Sequence, residues 1–489
     1  MKRTALVAVD LGAESCRVSL LRWAAADRPQ IRVVHRFSNS PVRKRNALTW
    51  NIERIIQGVT EGLCSCAEIA EEGIASIGVD GWAVDYVRLS NGAAIRDPIC
   101  YRDERTIAAE TQVLKLISRE ELYRFTGIQF LPLNTIYQLY ADQQEGIDPG
   151  IRWINLPEYV LYRLGGRAVA EFTNSTHTQL VDLGTGDWCP PIFNAVGFEL
   201  AAAPPIAETG SILGRLSGPL AELPAFHSTQ LIAPACHDTA SAIAGIPAEG
   251  DDWAFISSGT WSLVGTTLDR PCATHDSLTR NFTNLGGVGK KICFLKNVNG
   301  MWLIQQSLET WKQHGHRWTI PELIQRCSTL KAPPTSIDVD DPDLLLPGDI
   351  PGKIRLQLER RQAQALPLDG DAVLDTTNII LHSLAEKYAD VLHDITAITG
   401  KKLKRLYIVG GGSRNTLLNR LTAERTGLQV IPGVAESSTI GNFAVQLARL
   451  DGDWKPLVGV SSGRVSAWAR TLSASMLPET EELSAEAMV

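Results

Sequence analysis

The chain has 489 residues, of which 44% are hydrophobic and 21% are charged, and its formal net charge at pH 7 is -7. That length exceeds what a single hydrophobic core fills, so we expect two large domains, or two and a small insert. The acidic balance argues against a dedicated nucleic-acid binder. The apolar run that opens the chain stops at Asp10, and the longest uncharged stretch, 253–268, is too short for a membrane span. We therefore expect a cytoplasmic protein with reduced cysteines and with no nucleic-acid or membrane partner.

Short β-branched runs alternate with helical patterns along the chain, which indicates an α/β protein. The runs that predict strands are ALVAVDL, SIGVDGWAVDYVRL, LIAPA, AFISSGTWSLVGTTL, RLYIVGGG and LQVIPG. Helical spacing predicts one helix over 376–399, ended by Gly400, and another from about Asn415 to Thr426, ended by Gly427. The segment 331–353, rich in Pro and Asp, is predicted to be a surface excursion.

Two segments, LVAVDLGAESCRVSLL and AFISSGTWSLVGTTL, share one plan. Each has an apolar strand, a tight turn at Gly12 or Gly259, and a second strand that returns. The repetition predicts two domains of related topology, residues 1–247 and 248–489, with the boundary within 245–252. Any two β-hairpins of an α/β protein can look alike, so the repeat by itself leaves duplication open.

Three glycine-containing elements could together hold a polyphosphate. In the first hairpin Asp10 ends a buried strand beside the turn GAES, where a carboxylate can hold Mg²⁺ through water. The second hairpin offers hydroxyls and backbone N–H groups at 257–260. In the third, glycines 410–412 end a strand and let the backbone approach a nucleotide before a helix begins. Each element could equally be a structural turn, and none has the Walker or Rossmann spacing.

The stretch ACHDTAS contains His237 and Asp238 between a short strand and a helix of small residues. An Asp at this point could simply cap the helix. A hydrolytic triad would need a nucleophile elbow, and a zinc site would need further His or Cys at ligand spacing; the sequence has neither. The remaining interpretation is a general base that accepts the proton of an attacking hydroxyl during phosphoryl transfer.

The order of the three glycine elements resembles that of the two phosphate motifs and the adenosine motif in the actin, sugar kinase and heat-shock ATPase superfamily. Over nearly its whole length the chain resembles the FGGY family of carbohydrate kinases, and within it most the rhamnulokinase branch. GIQFLPLNTIYQL, HDTAS and SSGTWSL point to that branch, whereas VDLG and GGG mark only the superfamily. Further segments that carry the resemblance are CYRDERT, EFTNSTHTQLVDL, NFTNLGG, LKNVNGMWLIQQ and IVGGGSRNTLLNRL.

The resemblance implies ATP-dependent phosphorylation of L-rhamnulose at O1, with Asp238 as the general base and Asp10 supporting Mg²⁺. The residues that it implies for the sugar site are Ala83, His237, Asp238, Thr239 and Asn297. Those that it implies for ATP are Ala13, Glu14, Ser15, Cys16, Arg17, Thr260, Gln305 and Gly411.

Trp82 and Asp85 add an aromatic face and a carboxylate acceptor at one strand end, the pairing that a polyhydroxylated ligand needs. A buried Trp and a strand-end Asp are the structural alternative. Ala83 stands where relatives have Gly, so we expect an altered close contact with the sugar. Cys16 also stands where relatives tend to have Gly, so its side chain must fit beside the phosphates or point away. No disulfide is expected near the GGG helix, because LTAERTG has no cysteine.

The expected architecture is two ribonuclease-H-like α/β domains, each a mixed five-stranded sheet flanked by helices, with ATP and sugar meeting in the cleft between them. Closure over the sugar would exclude water as a competing acceptor. A kinase for another ketose or polyol, such as L-fuculose or D-xylulose, is one alternative. A non-catalytic protein that senses ATP or sugar on the same fold is another. The protein would be a monomer or a small homo-oligomer.

Overall fold

The structure is a computed structural model that describes residues 4–24, 28–346, 348–362 and 372–476. No helix in these ranges is long and apolar enough to cross a membrane. All nine cysteines lie in them as free thiols, and seven of the nine are buried.

The strands, in chain order, are β1 Ala5–Leu11, β2 Ser15–Trp23, β3 Pro29–Ser38, β4 Val42–Lys44, β5 Ala47–Thr49, β6 Ile74–Gly81, β7 Tyr86–Ser90, β8 Ala93–Ala94, β9 Arg152–Asn155, β10 Ala170–Glu171, β11 Val181–Asp182, β12 Asp187–Trp188, β13 Ile206–Ala207, β14 Ile212–Arg215, β15 Gln230–Ile232, β16 Trp253–Ser258, β17 Trp261–Leu268, β18 Thr283–Gly286, β19 Ile292–Asn299, β20 Arg405–Val409 and β21 Gln429–Pro432.

The α-helices, in chain order, are α1 Ile52–Ile69, α2 Arg105–Leu116, α3 Arg119–Thr126, α4 Thr135–Gln144, α5 Leu156–Arg163, α6 Phe172–Thr176, α7 Pro190–Val196, α8 Asp238–Ala244, α9 His275–Thr279, α10 Trp302–Gln313, α11 Ile320–Cys327, α12 Ile350–Arg360, α13 Ala372–Thr399, α14 Thr416–Thr426, α15 Ser437–Leu450 and α16 Ser462–Met476. Helix α13 begins at residue 372 rather than at the predicted 376. Helix α14 agrees with its prediction: the Asn415 side chain accepts a hydrogen bond from the Leu418 N–H, and Gly427 ends the helix with φ 68°.

The first large sheet has six strands in the order β14-β15-β6-β1-β2-β3. Strands β1, β2 and β3 are antiparallel neighbours, whereas β6 runs parallel to β1 and β15 runs parallel to β6. The register pairs Asp10 with Asp80 across β1 and β6, and with Arg17 across the hairpin. The carboxyl ends of the two central strands therefore present two acidic residues side by side.

The second large sheet has six strands in the order β18-β19-β17-β16-β20-β21. It also begins with an antiparallel hairpin, β16 and β17, and continues with β20 parallel to β16 and β21 parallel to β20. Without the edge strands β14 and β18 the two sheets have the same strand order and directions, which is the ribonuclease-H-like arrangement. The predicted number of five strands was wrong by one in each half, because each added edge strand has only four residues.

Helices α8 and α15 cross through small residues. A Cβ on Gly441 would lie 1.8 Å from the Ser241 carbonyl oxygen, and a Cβ on Gly245 would lie 2.1 Å from that of Ser437. Only glycine permits this approach of one helix backbone to the other. The crossing brings the start of α15 beside the helix that begins at Asp238.

The last two described helices, α15 and α16, pack on the first sheet although they follow the second sheet in the chain. Phe443 of α15 and Leu472 of α16 share a buried cluster with Leu6, Ala8 and Leu21 of β1 and β2. The chain thus returns to its first half after β21. The division at residues 247/248 stays a prediction; the strands of the two large sheets lie on either side of it.

The prediction that 331–353 is a surface excursion was wrong for its apolar residues. Ile337, Val339, Leu344 and Ile350 are buried in the core of the second half. The backbone N–H of Ile337 donates to the Ser383 Oγ at 3.0 Å, so the irregular backbone enters the core with its polar groups satisfied. Scattered Pro and Asp residues concealed this apolar spacing.

Candidate active site

The first hairpin carries an ion pair at the end of its strands. The Arg17 guanidinium lies 3.0 Å from the Asp10 carboxylate and also pairs with Glu436, while the Ser438 hydroxyl donates to Asp10 at 2.6 Å. A Cβ on Gly12 would lie 2.4 Å from the Ser15 carbonyl oxygen, so the tight turn requires glycine at that position. The chain of the second half therefore helps to hold Asp10 in place.

Cys16 points into the core beneath this turn. Its side chain is fully buried in the core of the first half, and its Sγ lies 3.6 Å from the Gly12 carbonyl oxygen. Burial and the charge of Asp10 raise the pKa of the Cys16 thiol to about 12, so it stays protonated. The sequence left two positions open for the Cys16 side chain, beside the phosphates or away from them. In the structure the side chain lies in the core, which leaves the turn free.

The turns of the two hairpins face each other. The Thr260 hydroxyl lies 3.5 Å from the Glu14 carboxylate, which joins the second turn to the first. The carbonyl oxygen of Thr260 also accepts from the N–H of Trp302, at the start of α10, at 3.3 Å. Gln305 lies in the first turn of that helix. The predicted ATP residues Glu14 and Thr260 therefore meet, and the start of α10, the helix that carries Gln305, lies beside them.

The three glycines after β20 differ in what surrounds them. Gly410 has φ 82°, and a Cβ on Gly412 would lie 2.0 Å from the Ser258 Oγ. A Cβ on Gly411 would meet no atom of the described residues within 4 Å, and Gly411 is exposed. Gly410 and Gly412 thus set the turn against the second hairpin, and Gly411 leaves open space beside it.

Several backbone N–H groups around this space have no acceptor among the described residues. They belong to Ala13 and Glu14 in the first turn, to Thr260 in the second, and to Gly411. Converging backbone N–H groups are what binds phosphate oxygens in proteins. The donor set therefore fits a polyphosphate such as that of ATP.

Asp238 begins α8 and faces the same region. Its side chain keeps 36% of its surface exposed, and one carboxylate oxygen accepts from the N–H and the hydroxyl of Thr239 at 2.5 and 3.2 Å. Burial and the nearby charge of Asp10 raise the pKa of Asp238 to about 6. A carboxylate with this pKa is ionised at neutral pH and is a stronger base than an ordinary aspartate, as a proton acceptor requires.

Asp80 is a third acidic residue of the site, which the sequence analysis missed. It is fully buried beside Asp10, and its Oδ2 accepts from the Asn442 side chain at 2.6 Å. Burial and the charge of Asp10 raise its pKa well above the ordinary value, which favours a neutral carboxyl group. The signal was present, because GVDG at 78–81 repeats the pattern of AVDLG at 8–12.

His237 is buried directly before Asp238. Its ring lies edge-on to that of His177 with the centroids 4.9 Å apart, and its Nε2 lies 3.5 Å from the Asp238 carboxylate. Burial and the neighbouring His177 lower the pKa of His237 well below the ordinary value, so the ring is neutral. Its Nδ1 is buried with no hydrogen-bond partner among the described residues.

Trp82 and Asp85 lie together, but the carboxylate is already fully engaged. Asp85 is completely buried and accepts hydrogen bonds from the Trp50 indole at 2.6 Å, the Trp82 indole at 3.0 Å and the Gln138 amide at 3.0 Å. Burial raises its pKa to about 6. The two indole rings lie 4.6 Å apart. Direct bonding of Asp85 to a sugar stays a prediction; in the structure it orients two Trp rings.

The backbone beside Trp82 links β1, β6 and the segment that leads into α8. Its N–H donates to the Leu11 carbonyl at 3.2 Å, and the Gly81 N–H donates to the Cys236 carbonyl at 3.0 Å. Ala83 follows as a buried residue, and Val84 has φ 69°, an uncommon conformation for a β-branched side chain. The backbone of residues 81–84 is therefore fixed in a strained conformation next to Asp10 and His237.

Asn297 reaches the region from the second half. It lies on β19, where its side-chain amide and its backbone N–H donate to the Gln129 Oε1 at 2.8 and 3.1 Å. Asn297 therefore ties the second sheet to the segment GIQFLPLN of the first half. Its predicted contact with substrate is not tested by this geometry and stays a prediction.

The acidic groups suit a magnesium ion that keeps part of its water shell better than a metal ion coordinated by protein atoms alone. Among the described residues no group of three or more His, Cys, Asp or Glu side chains could hold a metal ion. Mg²⁺ in kinases keeps several waters and is held by one or two carboxylates together with phosphate oxygens. Asp10 beside the free N–H groups fits that role.

Comparison with known proteins identifies the fold and the family. Residues 5–245 match the N-terminal domain and residues 254–450 the C-terminal domain of the FGGY family of carbohydrate kinases. Gluconate kinase and ligand-bound xylulose kinase of Lactobacillus acidophilus each superpose with a TM-score of 0.74 at 14% identity, over 96% of both chains. Plasmodium falciparum glycerol kinase with ADP superposes with a TM-score of 0.73 at 14% identity, over 95% of this chain and 92% of that one. The chain therefore belongs to the FGGY family of carbohydrate kinases.

Proposed function

We propose that the protein transfers the γ-phosphoryl group of ATP to O1 of L-rhamnulose, with Mg²⁺ and with Asp238 as the general base. The observation that carries the proposal is the meeting of free backbone N–H groups from both hairpin turns with Asp10 and Asp238 in one region. A phosphoryl donor and a base for the acceptor hydroxyl are the two requirements of this reaction.

Bound Mg-ATP would supply the phosphoryl group and the charge neutralisation at its oxygens. The N–H groups of Ala13, Glu14, Thr260 and Gly411 would hold phosphate oxygens, and Asp10 would orient water around the metal. Arg17 pairs with Asp10 and Glu436 and would set the Asp10 carboxylate, while its predicted contact with ATP stays a prediction. Ser15 begins β2 beside the same turn, and Cys16 lies in the core.

Asp238 would accept the proton of the sugar hydroxyl as the oxygen attacks phosphorus. Its raised pKa supports this role, because the carboxylate is ionised at pH 7 and holds a proton more readily than an exposed aspartate. The neutral His237, with its free Nδ1, would bind a neighbouring sugar hydroxyl, and Thr239 would keep the base oriented.

The choice of L-rhamnulose rests on the segments that resemble the rhamnulokinase branch. Trp82 and Ala83 would supply an apolar wall, and His237 and Asn297 would supply polar groups. Another ketose kinase would keep Asp10 and Asp238 and differ at this wall. A cytoplasmic location is part of the proposal, since the reaction draws on ATP.

A coupled ADP-release assay with L-rhamnulose, L-fuculose and D-xylulose tests the substrate. We expect L-rhamnulose to give the highest kcat/KM, and omission of Mg²⁺ to abolish turnover. Equal or faster turnover of L-fuculose or D-xylulose would contradict the substrate and leave the kinase assignment intact. Lack of ADP release with every sugar, despite measurable ATP binding, would favour the non-catalytic alternative.

A further inference from the structure

A second concave site lies away from the hairpin turns. It is a cavity of about 610 Å³ lined by residues of α8, α16 and the second sheet. Volumes of several hundred Å³ are typical of small-molecule sites. None of the residues assigned above to ATP, sugar or metal lines it.

The cavity adjoins the opposite end of the helix that begins at Asp238. Ile243 and Ala244, at the end of α8, form one wall, and Trp253 and Val288 of the second half form another. Val465 of α16, a helix that packs on the first sheet, closes it. The walls therefore come from both halves of the molecule, and any rotation of one half against the other changes the shape of the cavity.

One cation of the lining has no carboxylate partner. Lys401 is half-buried, and among the described residues its ammonium group has a single hydrogen bond, to the Thr267 carbonyl at 2.9 Å. Burial lowers its pKa, although the charges of Asp251 and Asp269 nearby partly offset that effect. Two of its three N–H donors thus lack a protein acceptor in the part of the chain that the structure describes.

The other charged residues of the lining are largely neutralised. Lys291 pairs with Asp269, and Arg470 pairs with Glu249 at 2.8 Å. Asp251 is exposed at the rim and has no ion pair within the described ranges. Lys401 is therefore the cation of the lining that lacks a close ion pair in the described ranges, and the nearby Asp251 at the rim is its main electrostatic competitor for a bound anion.

The start of α16 adds further N–H donors to the lining of the cavity. Ser462 and Gly463 line the cavity, and their backbone N–H groups have no acceptor among the described residues, whereas the Arg464 N–H already donates to Ser461. The first N–H groups of a helix attract negative charge. Lys401 and these N–H groups favour an anion, and Ile243, Ile246 and Val288 favour an apolar body next to it.

We propose that this cavity binds a small organic anion with an apolar body, and that its occupancy changes how the two halves close on ATP. The binding itself goes beyond the proposed function, and only its effect on nucleotide affinity rests on that function. A ligand that contacts both halves binds the different arrangements of the two halves with different affinities. By thermodynamic linkage, the ligand and ATP then change each other's affinity by the same factor.

The test uses 8-anilinonaphthalene-1-sulfonate, an aromatic molecule with one anionic group whose fluorescence rises in apolar surroundings. We expect the full-length protein to bind one equivalent, and Lys401→Gln to weaken binding roughly tenfold, the effect of losing one charged hydrogen bond. Lys404→Gln is the matched control, because Lys404 is 76% exposed in its side chain and lies outside the lining. A bulky side chain in Gly463→Phe, at a position with no atom within 4 Å of a Cβ, should also weaken binding.

Phenyl phosphate and benzoate should displace the probe, and inorganic phosphate should displace it much less. Saturating probe should change the affinity for a non-hydrolysable ATP analogue about fivefold or more. Equal binding by Lys401→Gln and Lys404→Gln, or equal displacement by inorganic phosphate, would overturn the site. An unchanged affinity for the ATP analogue would overturn the coupling. Neither readout uses the sugar, so an error in the substrate does not affect them.

Discussion

The two halves of the molecule have the same sheet but different chemistry at the same topological position. In the first half the central parallel strands end in the paired acids Asp10 and Asp80, whereas in the second half the corresponding pair is Ser257 and Val409. The first half therefore has the carboxylates proposed for metal and proton, the second has hydroxyls and glycines, and both halves contribute free N–H groups. A repeated fold predicts where a site lies, and the residues at the strand ends decide what it does.

The largest expected effect comes from the first half. Asp238→Asn removes the proposed base without changing the side-chain size, so kcat should fall by about 10²–10⁴-fold. The affinity for ATP, measured by calorimetry, should stay within about threefold, because Asp238 is not among the groups proposed to bind phosphate.

The control for that variant is Asp187→Asn, an exposed aspartate on β12 outside the site. It should keep wild-type kcat. A loss of ATP affinity as large as the loss of kcat in Asp238→Asn would show that Asp238 acts in binding rather than in proton transfer.

In the second half, substitutions of two neighbouring glycines should differ most in their effect on stability. Gly412→Ala forces a Cβ to within 2.0 Å of the Ser258 Oγ, so we expect a loss of about 1–3 kcal/mol in the free energy of unfolding. Gly411→Ala meets no atom within 4 Å and should leave that free energy within about 0.5 kcal/mol. Chemical denaturation measures both, and equal destabilisation would contradict the described packing of the turn.

A smaller effect is expected at Cys16. Because its side chain lies in the core, Cys16→Gly should destabilise the protein by about 1–2 kcal/mol and leave KM for ATP within about twofold. Thermal denaturation and ATP kinetics measure the two quantities. A large change in KM for ATP without loss of stability would mean that Cys16 faces the phosphates.

The sequence predicted the two hairpins, the GGG turn, helix α14 and the α/β class, because all of these have strong local patterns. It did not predict that Ser438 reaches Asp10 or that Glu436 reaches Arg17, since each contact joins residues more than 400 positions apart. It missed Asp80, whose role depends on the register of two parallel strands. It also could not show that Asp85 is engaged by Trp50, which comes from a separate segment. Long-range contacts leave no local pattern.

The pH dependence of kcat/KM tests the central claim most directly. Since the pKa of Asp238 is about 6, the carboxylate is a competent base above that pH, and kcat/KM should fall about tenfold per pH unit below it. The residual activity of Asp238→Asn should lack this acidic limb, although Asp85, with a pKa also near 6, is still present. An acidic limb near pH 6 that persists in Asp238→Asn would contradict the assignment of Asp238 as the general base.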